Sequence, residues 1–468
     1  LSLGWVQYAI IAAYLLFIVI KGLRRSRDIA GADDFLLAGR KVGWPLILCT
    51  VGATVIGGGA SIGAVGKTFE WGVLMMAVST AWYLQLIVSG LLVAPRFREA
   101  RLYTVAGYFG HRFGAKPRFA AFVLSLLFSV GVLGAQMVAF GKIITLLVPL
   151  APYWLAVVAG GVVVTLYSTV GGLPAVIHTD VYQFVILLAG FAITLVYCVP
   201  ELVGSADEIA RVVPEHFFSL WGDRGPLFLI TTFLAFLLGE TFAPAYATRF
   251  CIGEDARATR RGIVGAGVLL AFTYPAVLFF IALYARLNFP HIDPEQALPH
   301  TILRLNNPVV GGLVIAALMS AVMSSADSIL NSTTSIFVKD LYEPYVARSR
   351  TGSRKGLRIA RWSSAALGVL GVVMALVLPD IIDMLLLTYS LWAPGIIVPV
   401  LVGVLTRTSS ATLGRLVFGT MVLSTAATVL YMTTPWADVV QPGVVGVGVS
   451  CVIFALGLLV TRTRLRRG

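Results

Sequence analysis

The chain has 468 residues, 58% of them hydrophobic and only 12% charged, with a mean hydropathy of +0.90. A soluble domain carries about 25% charged residues, so a water-soluble enzyme or binding module is excluded, and the chain reads as an all-α polytopic membrane protein. The formal charge of +13 does not indicate a nucleic-acid partner, because the basic residues sit in clusters on alternate connections between apolar runs.

About 13 transmembrane helices are expected, at roughly 3–20, 44–66, 72–95, 118–149, 153–170, 179–199, 227–248, 262–285, 308–338, 360–378, 383–405, 412–432 and 442–461, each near the ~20 residues that a bilayer requires. The first has no basic leader and no small-residue cleavage site, so it reads as a span, not a signal peptide. Assigning "KGLRRSR", "RFREAR", "RFCIGEDARATRR", "KDLYEPYVARSRTGSRKGLR", "TRTSSATLGR" and "TRTRLRRG", with their flanks, to the cytoplasm places 29 of the 35 Lys and Arg there. This predicts an N-terminus outside and a C-terminus in the cytoplasm of a plasma (inner) membrane. The outer connections, about 200–226 and 286–307, are rich in Pro and acidic residues and should hold short helices. The four cysteines are scattered and indicate neither a disulfide framework nor a metal site.

Two spans carry breaks. The second contains "GATVIGGGASIG", with Gly57, Gly58 and Gly59 in mid-helix; the seventh contains "GETFAPAY", with Glu240 and Pro244 near its middle. Glycine raises the cost of helix and proline removes a backbone donor. A membrane tolerates the freed groups only where they line a cavity. The breaks lie five spans apart, so two blocks of opposite topology are expected, the layout of an inverted-repeat transporter. The division is 1–43 (first helix and cytoplasmic loop), 44–199 (first repeat, helices 2–6), 227–406 (second repeat, helices 7–11) and 407–468 (peripheral helices 12 and 13). The alternative is two ordinary kinks packed through glycine.

The ninth span runs into "AVMSSADSILNSTTSIFVKD". Ala321, Ser324, Ser325 and Ser328 recur at helical spacing and share one face. Hydroxyls and spare carbonyl lone pairs are neutral oxygen ligands suited to a compact hard cation. Unwound carbonyls near Ala53 and Ile56 would complete the shell. Otherwise the hydroxyls bond back to their own helix or join neighbouring helices.

"GATVIGGG", "GGLPAVIHTDVYQ" and "AVMSSADSILNSTTSIFVKDLY" resemble the sodium/solute symporter family over about residues 5–460, and "AVMSSADS" is most similar to its choline-transporter branch. The resemblance implies a leucine-transporter-like five-plus-five inverted repeat. It also implies a co-transported sodium ion on the carbonyls of Ala53, Ile56 and Ala321 and the hydroxyls of Ser324 and Ser325. A second cation or proton site would fall on Asp180, Asp327 and Ser328, where a carboxylate, Asp327, replaces one of the family's hydroxyls. Asp180 has another reading, as the cap of a helix starting at "TDVYQ".

A quaternary ammonium calls for an aromatic cage, yet Val55 and Ala243 stand where the choline branch has Trp. Val55 also replaces the Asp of the proline carriers. Candidates for the solute pocket are Val55, Gly57, Gly58, Trp82, Gln85, Gln136, Glu240, Tyr246, Tyr389 and Trp392. Glu240 is a carboxylate at a helix break, expensive unless paired; its partner is an amine of the solute, a proton, Lys142 or a structural hydrogen bond. The preferred solute is small and amine-bearing or zwitterionic.

The expected function is sodium-coupled uptake of a small polar organic solute by alternating access, with sodium, the solute and the lipid bilayer as partners and a monomer as the default assembly. The alternatives are a proton-coupled transporter of the same fold and a transporter-like solute sensor. No enzyme motif is present.

Overall fold

The computed structural model describes residues 4–26, 37–99, 103–347, 353–406 and 410–465. Among these, nine helices are long and apolar enough to cross a membrane, or eleven if each of two bent pairs counts as one span. Two shorter apolar stretches, Trp5–Ile18 and Tyr153–Leu166, lie where the first and fifth spans were expected. With these two stretches, all thirteen expected positions carry apolar helix among the described residues, eleven of them long and apolar enough to cross a membrane.

The principal helices are α1 (Trp5–Ser26), α2 (Trp44–Val55), α3 (Ala64–Trp71), α4 (Val73–Leu92), α5 (Ala115–Leu147), α6 (Tyr153–Gly204), α7 (Gly225–Gly239), α8 (Pro244–Ile252), α9 (Ala256–Asn288), α10 (Pro308–Ile336), α11 (Ser353–Val377), α12 (Ile381–Leu405), α13 (Ala411–Tyr431) and α14 (Pro442–Leu465). The outer connections hold short helices as expected, at Ala206–Val212, Glu215–Phe218, Pro294–Gln296 and Ala297–Leu305.

Both breaks are present. The pair Trp44–Val55 and Gly59–Trp71 bends by 59°, and the pair Gly225–Gly239 and Pro244–Ile252 by 46°. In the first, residues Gly59–Gly63 form a wide π-type turn. Its start is pinned by Gly58 N–H donating to Gln136 Oε1 at 2.8 Å and Ser61 Oγ donating to the Gly57 carbonyl at 2.5 Å. In the second, Phe242 takes the left-handed φ of +66°, rare for a bulky residue, and Pro244 opens α8 at the position where its missing N–H is harmless.

One boundary differs from the sequence reading. Spans 153–170 and 179–199 were expected as separate helices, but the chain stays helical from Tyr153 to Gly204 with Pro174 inside. The "GGLP" stretch at 171–174 joins the two expected spans without leaving helix. Asp180 consequently lies inside a helix, and its reading as an N-terminal cap is incorrect.

Helix α10 is the axis of the molecule. Every residue from Val314 to Ile336 is buried, so its hydroxyls and its carboxylate face protein on all sides. The outermost apolar segments differ: the span Pro442–Leu459 is only 22% buried, against 83% for the span containing α10. Large exposed apolar side chains such as Phe272, Val196 and Leu430 lie on outward faces, as a lipid-facing surface requires.

Candidate ion and solute site

The polar face of α10 meets the broken end of α2. Ser325 Oγ lies 2.9 Å from the Thr54 carbonyl and 3.4 Å from the Ala53 carbonyl. Ser324 Oγ donates to Asp180 Oδ1. Each serine has one proton, and both protons are committed to protein acceptors. What the two hydroxyls have left to offer an ion is lone pairs. Ala53, Ile56 and Ala321 are buried as well. Ile56 has the non-helical ψ of +45° just past the end of α2, where carbonyls lose their helical partners. Gly57 is needed for this approach: a Cβ there would fall 2.3 Å from Ser325 Oγ and 2.7 Å from Gln136 Oε1.

The second cluster adjoins the first. Asp180, fully buried, accepts from Thr50 as well as from Ser324. Asp327, 2% exposed, accepts from Ser168. Ser328 Oγ is 3.2 Å from Thr54 Oγ and receives Arg249 Nη2 at 2.5 Å. Arg249 has no exposed surface, and its charge acts on both Asp180 and Asp327.

Arg249 was not singled out from the sequence. It stands at the head of "RFCIGEDARATRR", which reads as a cytoplasmic basic cluster, but the structure places it in α8, whose nine residues are all buried. A signal was available: Arg249 is only five residues beyond Pro244 of the expected break, close enough to belong to the second half of a broken span.

The solute candidates divide. Val55, Trp82, Gln136, Glu240 and Tyr246 line a cavity of about 30 Å³ between the two breaks. Tyr389 bonds to its wall, donating to Glu240 Oε1 at 2.6 Å and accepting from Trp82 Nε1 at 3.1 Å. Gln85 and Trp392 are buried but do not line the cavity: Gln85 accepts from Ser89, and Trp392 packs on Phe128 with ring centroids 5.0 Å apart. Gly57 and Gly58 also lie outside it and act by admitting Ser325 and Ala139 closely. Phe128 and Ala243 are lining residues that were absent from the candidate set. Lys142 does not meet Glu240; it pairs with Asp293 at 2.5 Å and Glu295 at 3.3 Å.

An all-helical multi-pass membrane protein with two broken helices facing a buried polar helix is a secondary transporter of the discontinuous-helix class. A family model described as "SSF: Sodium:solute symporter family" matches residues 35–414, and the chain belongs to the sodium:solute symporter family. It is 28% identical over 394 residues to a sodium/sialic acid symporter of Aliivibrio fischeri, covering 80% of this chain and 76% of the relative. A high-affinity choline transporter of Caenorhabditis elegans is 24% identical over 413 residues, covering 82% and 69% respectively. Among solved structures, a substrate-bound, outward-open Na⁺-coupled sialic acid symporter superposes with a TM-score of 0.81 at 20% identity, covering 97% of this chain and 98% of that one, a likeness of fold. The chain is accordingly a sodium-coupled membrane symporter of a small solute, not an enzyme.

Proposed function

We propose that the protein takes up a small polar organic solute by alternating access and binds sodium on the carbonyls of Ala53, Ile56 and Ala321 and the hydroxyls of Ser324 and Ser325. The observation that carries this is the orientation of the two serines. Ser325 donates to the carbonyls at the broken end of α2 and Ser324 to Asp180, which brings the two hydroxyl oxygens together beside that end. The two blocks 44–199 and 227–406 act as inverted repeats around this point, in a monomer embedded in the bilayer, with the N-terminus outside and the C-terminus cytoplasmic. The driving force suffices. One charge in a 100 mV potential contributes about 2.3 kcal/mol, and a tenfold sodium gradient adds about 1.4 kcal/mol.

Asp180, Asp327 and Ser328 form a second site that holds either another sodium ion or a proton. Two carboxylates near each other in low dielectric require a cation or a proton between them. Arg249 supplies one positive charge from the protein itself, leaving one to be provided by sodium at the first site or by a transported ion.

The test is uptake into proteoliposomes with sodium varied at constant ionic strength. Ser324→Ala and Ser325→Ala each remove one ligand oxygen at almost constant volume and should demand much more sodium for the same uptake. Unchanged sodium dependence in both variants would remove the site.

A further inference from the structure

The cavity between the breaks has a distinctive charge pattern. Among the described residues that line it, Glu240 is the only ionisable carboxylate and none is basic. A solute carrying a carboxylate would find no counter-charge on these walls and would face Glu240.

Glu240 itself is built into place. It caps the C-terminus of α7, where the helix dipole adds partial negative charge. Tyr246 Oη donates to its Oε2 at 2.7 Å and Tyr389 Oη to its Oε1 at 2.6 Å. Gly239 permits this, because a Cβ there would lie 2.3 Å from the Tyr389 ring. Tyr389 Oη also accepts from Trp82 Nε1, which fixes its direction of donation. Both oxygens of Glu240 are thus hydrogen-bond acceptors, as an ionised carboxylate is. A carboxylate has about four acceptor positions, and the two tyrosines use two of them. Trp82 and Phe128 line the same cavity, and aromatic rings attract a cation placed over their faces.

We propose that Glu240 is the recognition residue for the solute and that the solute is a small primary or secondary amine, cationic and without a carboxylate. This rests on the symporter reading above and narrows its substrate class. The cavity of about 30 Å³ has room for only a water or two, so the solute enters when the broken spans part; its ammonium then fills the open acceptor positions of Glu240 while its carbon skeleton lies against Trp82 and Phe128. Tyr246 and Tyr389 hold the carboxylate in register.

The experiment is a melting-temperature screen of purified protein in sodium and in potassium, with two matched sets of probes. One is ethanolamine, glycine and glycolate; the other is benzylamine, phenylglycine and benzoate. In at least one set the amine should raise the melting temperature in sodium, and the zwitterion and the anion should not. Glu240→Gln should weaken the amine's binding by about tenfold or more, the worth of a charge-assisted hydrogen bond, and leave stabilisation by sodium alone intact. The proposal is overturned if a zwitterion or anion binds as well as its amine, if neither amine binds, or if Glu240→Gln retains full affinity. Should Glu240→Gln not fold, Tyr389→Phe keeps the charge and removes one hydroxyl, so preference for the amine over the zwitterion must persist in it. Loss of that preference overturns the proposal equally. Failure of sodium alone to stabilise the wild type would count against the sodium-coupled reading instead, so the two failures are distinguishable.

Discussion

Arg249 donates to the hydroxyl of Ser328 at 2.5 Å, joining the second half of one broken span to the polar helix α10. The contact places a permanent positive charge beside Asp180 and Asp327, the pair proposed above to hold a second ion or a proton. Arg249→Gln leaves both carboxylates with one fixed charge fewer. An additional cation must then be recruited, so uptake should depend more steeply on sodium and be weaker at low sodium. Arg249→Lys retains the charge and should keep the wild-type steepness, although it loses the guanidinium fork. Sodium titrations of uptake decide this, and identical curves for Gln and wild type would show that Arg249 only packs. Removing one partner from a buried charge cluster also costs about 3–5 kcal/mol, so the Gln variant should melt earlier.

Asp327→Asn preserves shape and still accepts from Ser168, but removes one negative charge. If the Asp180 and Asp327 cluster couples a second sodium ion, the steepness of uptake should fall toward one ion per cycle. If it holds a proton, the steepness should persist while the pH profile of uptake moves. Wild-type behaviour in both assays would make Asp327 a structural acceptor.

Gly57→Ala tests the approach of the broken helix to Ser325. The added methyl meets Ser325 Oγ and Gln136 Oε1 well inside contact distance, and Gln136 is held by Gly58. Overpacking of this kind costs about 1–3 kcal/mol. Were the lower figure taken wholly from ion binding, half-saturating sodium would rise about fivefold. The readout is sodium-induced thermal stabilisation, which should shift to higher sodium.

Choline should be a poor ligand. It has no N–H to give Glu240, and the cavity presents Val55 and Ala243 where the choline branch carries cage aromatics. Calorimetry should detect no tight binding. Tight binding would mean that Trp82, Phe128 and Tyr246 form a cage by themselves.

The two breaks were legible because glycine runs and proline act on the backbone locally, and local rules survive tertiary context. The polar face of α10 was legible for the same reason, since helical spacing alone aligns Ala321, Ser324, Ser325 and Ser328. The partners were not. That Ser324 turns to Asp180, that Lys142 turns to Asp293 and Glu295, and that Tyr389 reaches Glu240 across 149 positions of chain are matters of packing between distant segments. Arg249 was misplaced because a basic run normally marks solvent, and only the bend at Phe242 turns its first member inward. Gln85 and Trp392 were chosen by residue type, which cannot report the direction of a side chain on a helix buried all round.

Glu295 should make the outer connection sensitive to pH. It lies in the short helix Pro294–Gln296, outside the spans, and is 7% exposed. Its Oε1 accepts from Ile381 N–H at 2.8 Å and its Oε2 lies 3.3 Å from Lys142 Nζ, so it fastens this connection to the start of α12 and to α5. Burial pushes its pKa up to about 7; the bond from Ile381 and the charge of Lys142 oppose this, and Asp380 and Asp293 add to it. The ordinary value is near 4.3. The folded form therefore holds a proton that the unfolded or opened form releases between roughly pH 4.3 and 7. Stability from this group is fully present below that interval and is lost as pH rises through about 7. Glu295→Gln mimics the protonated acid and keeps the acceptor for Ile381. It should match the wild type near pH 4.5 and become more stable than it by up to about 3 kcal/mol at pH 8. Melting curves across that range decide it. A variant less stable than wild type at pH 8 would mean that the Lys142 ion pair outweighs the cost of burying the charge.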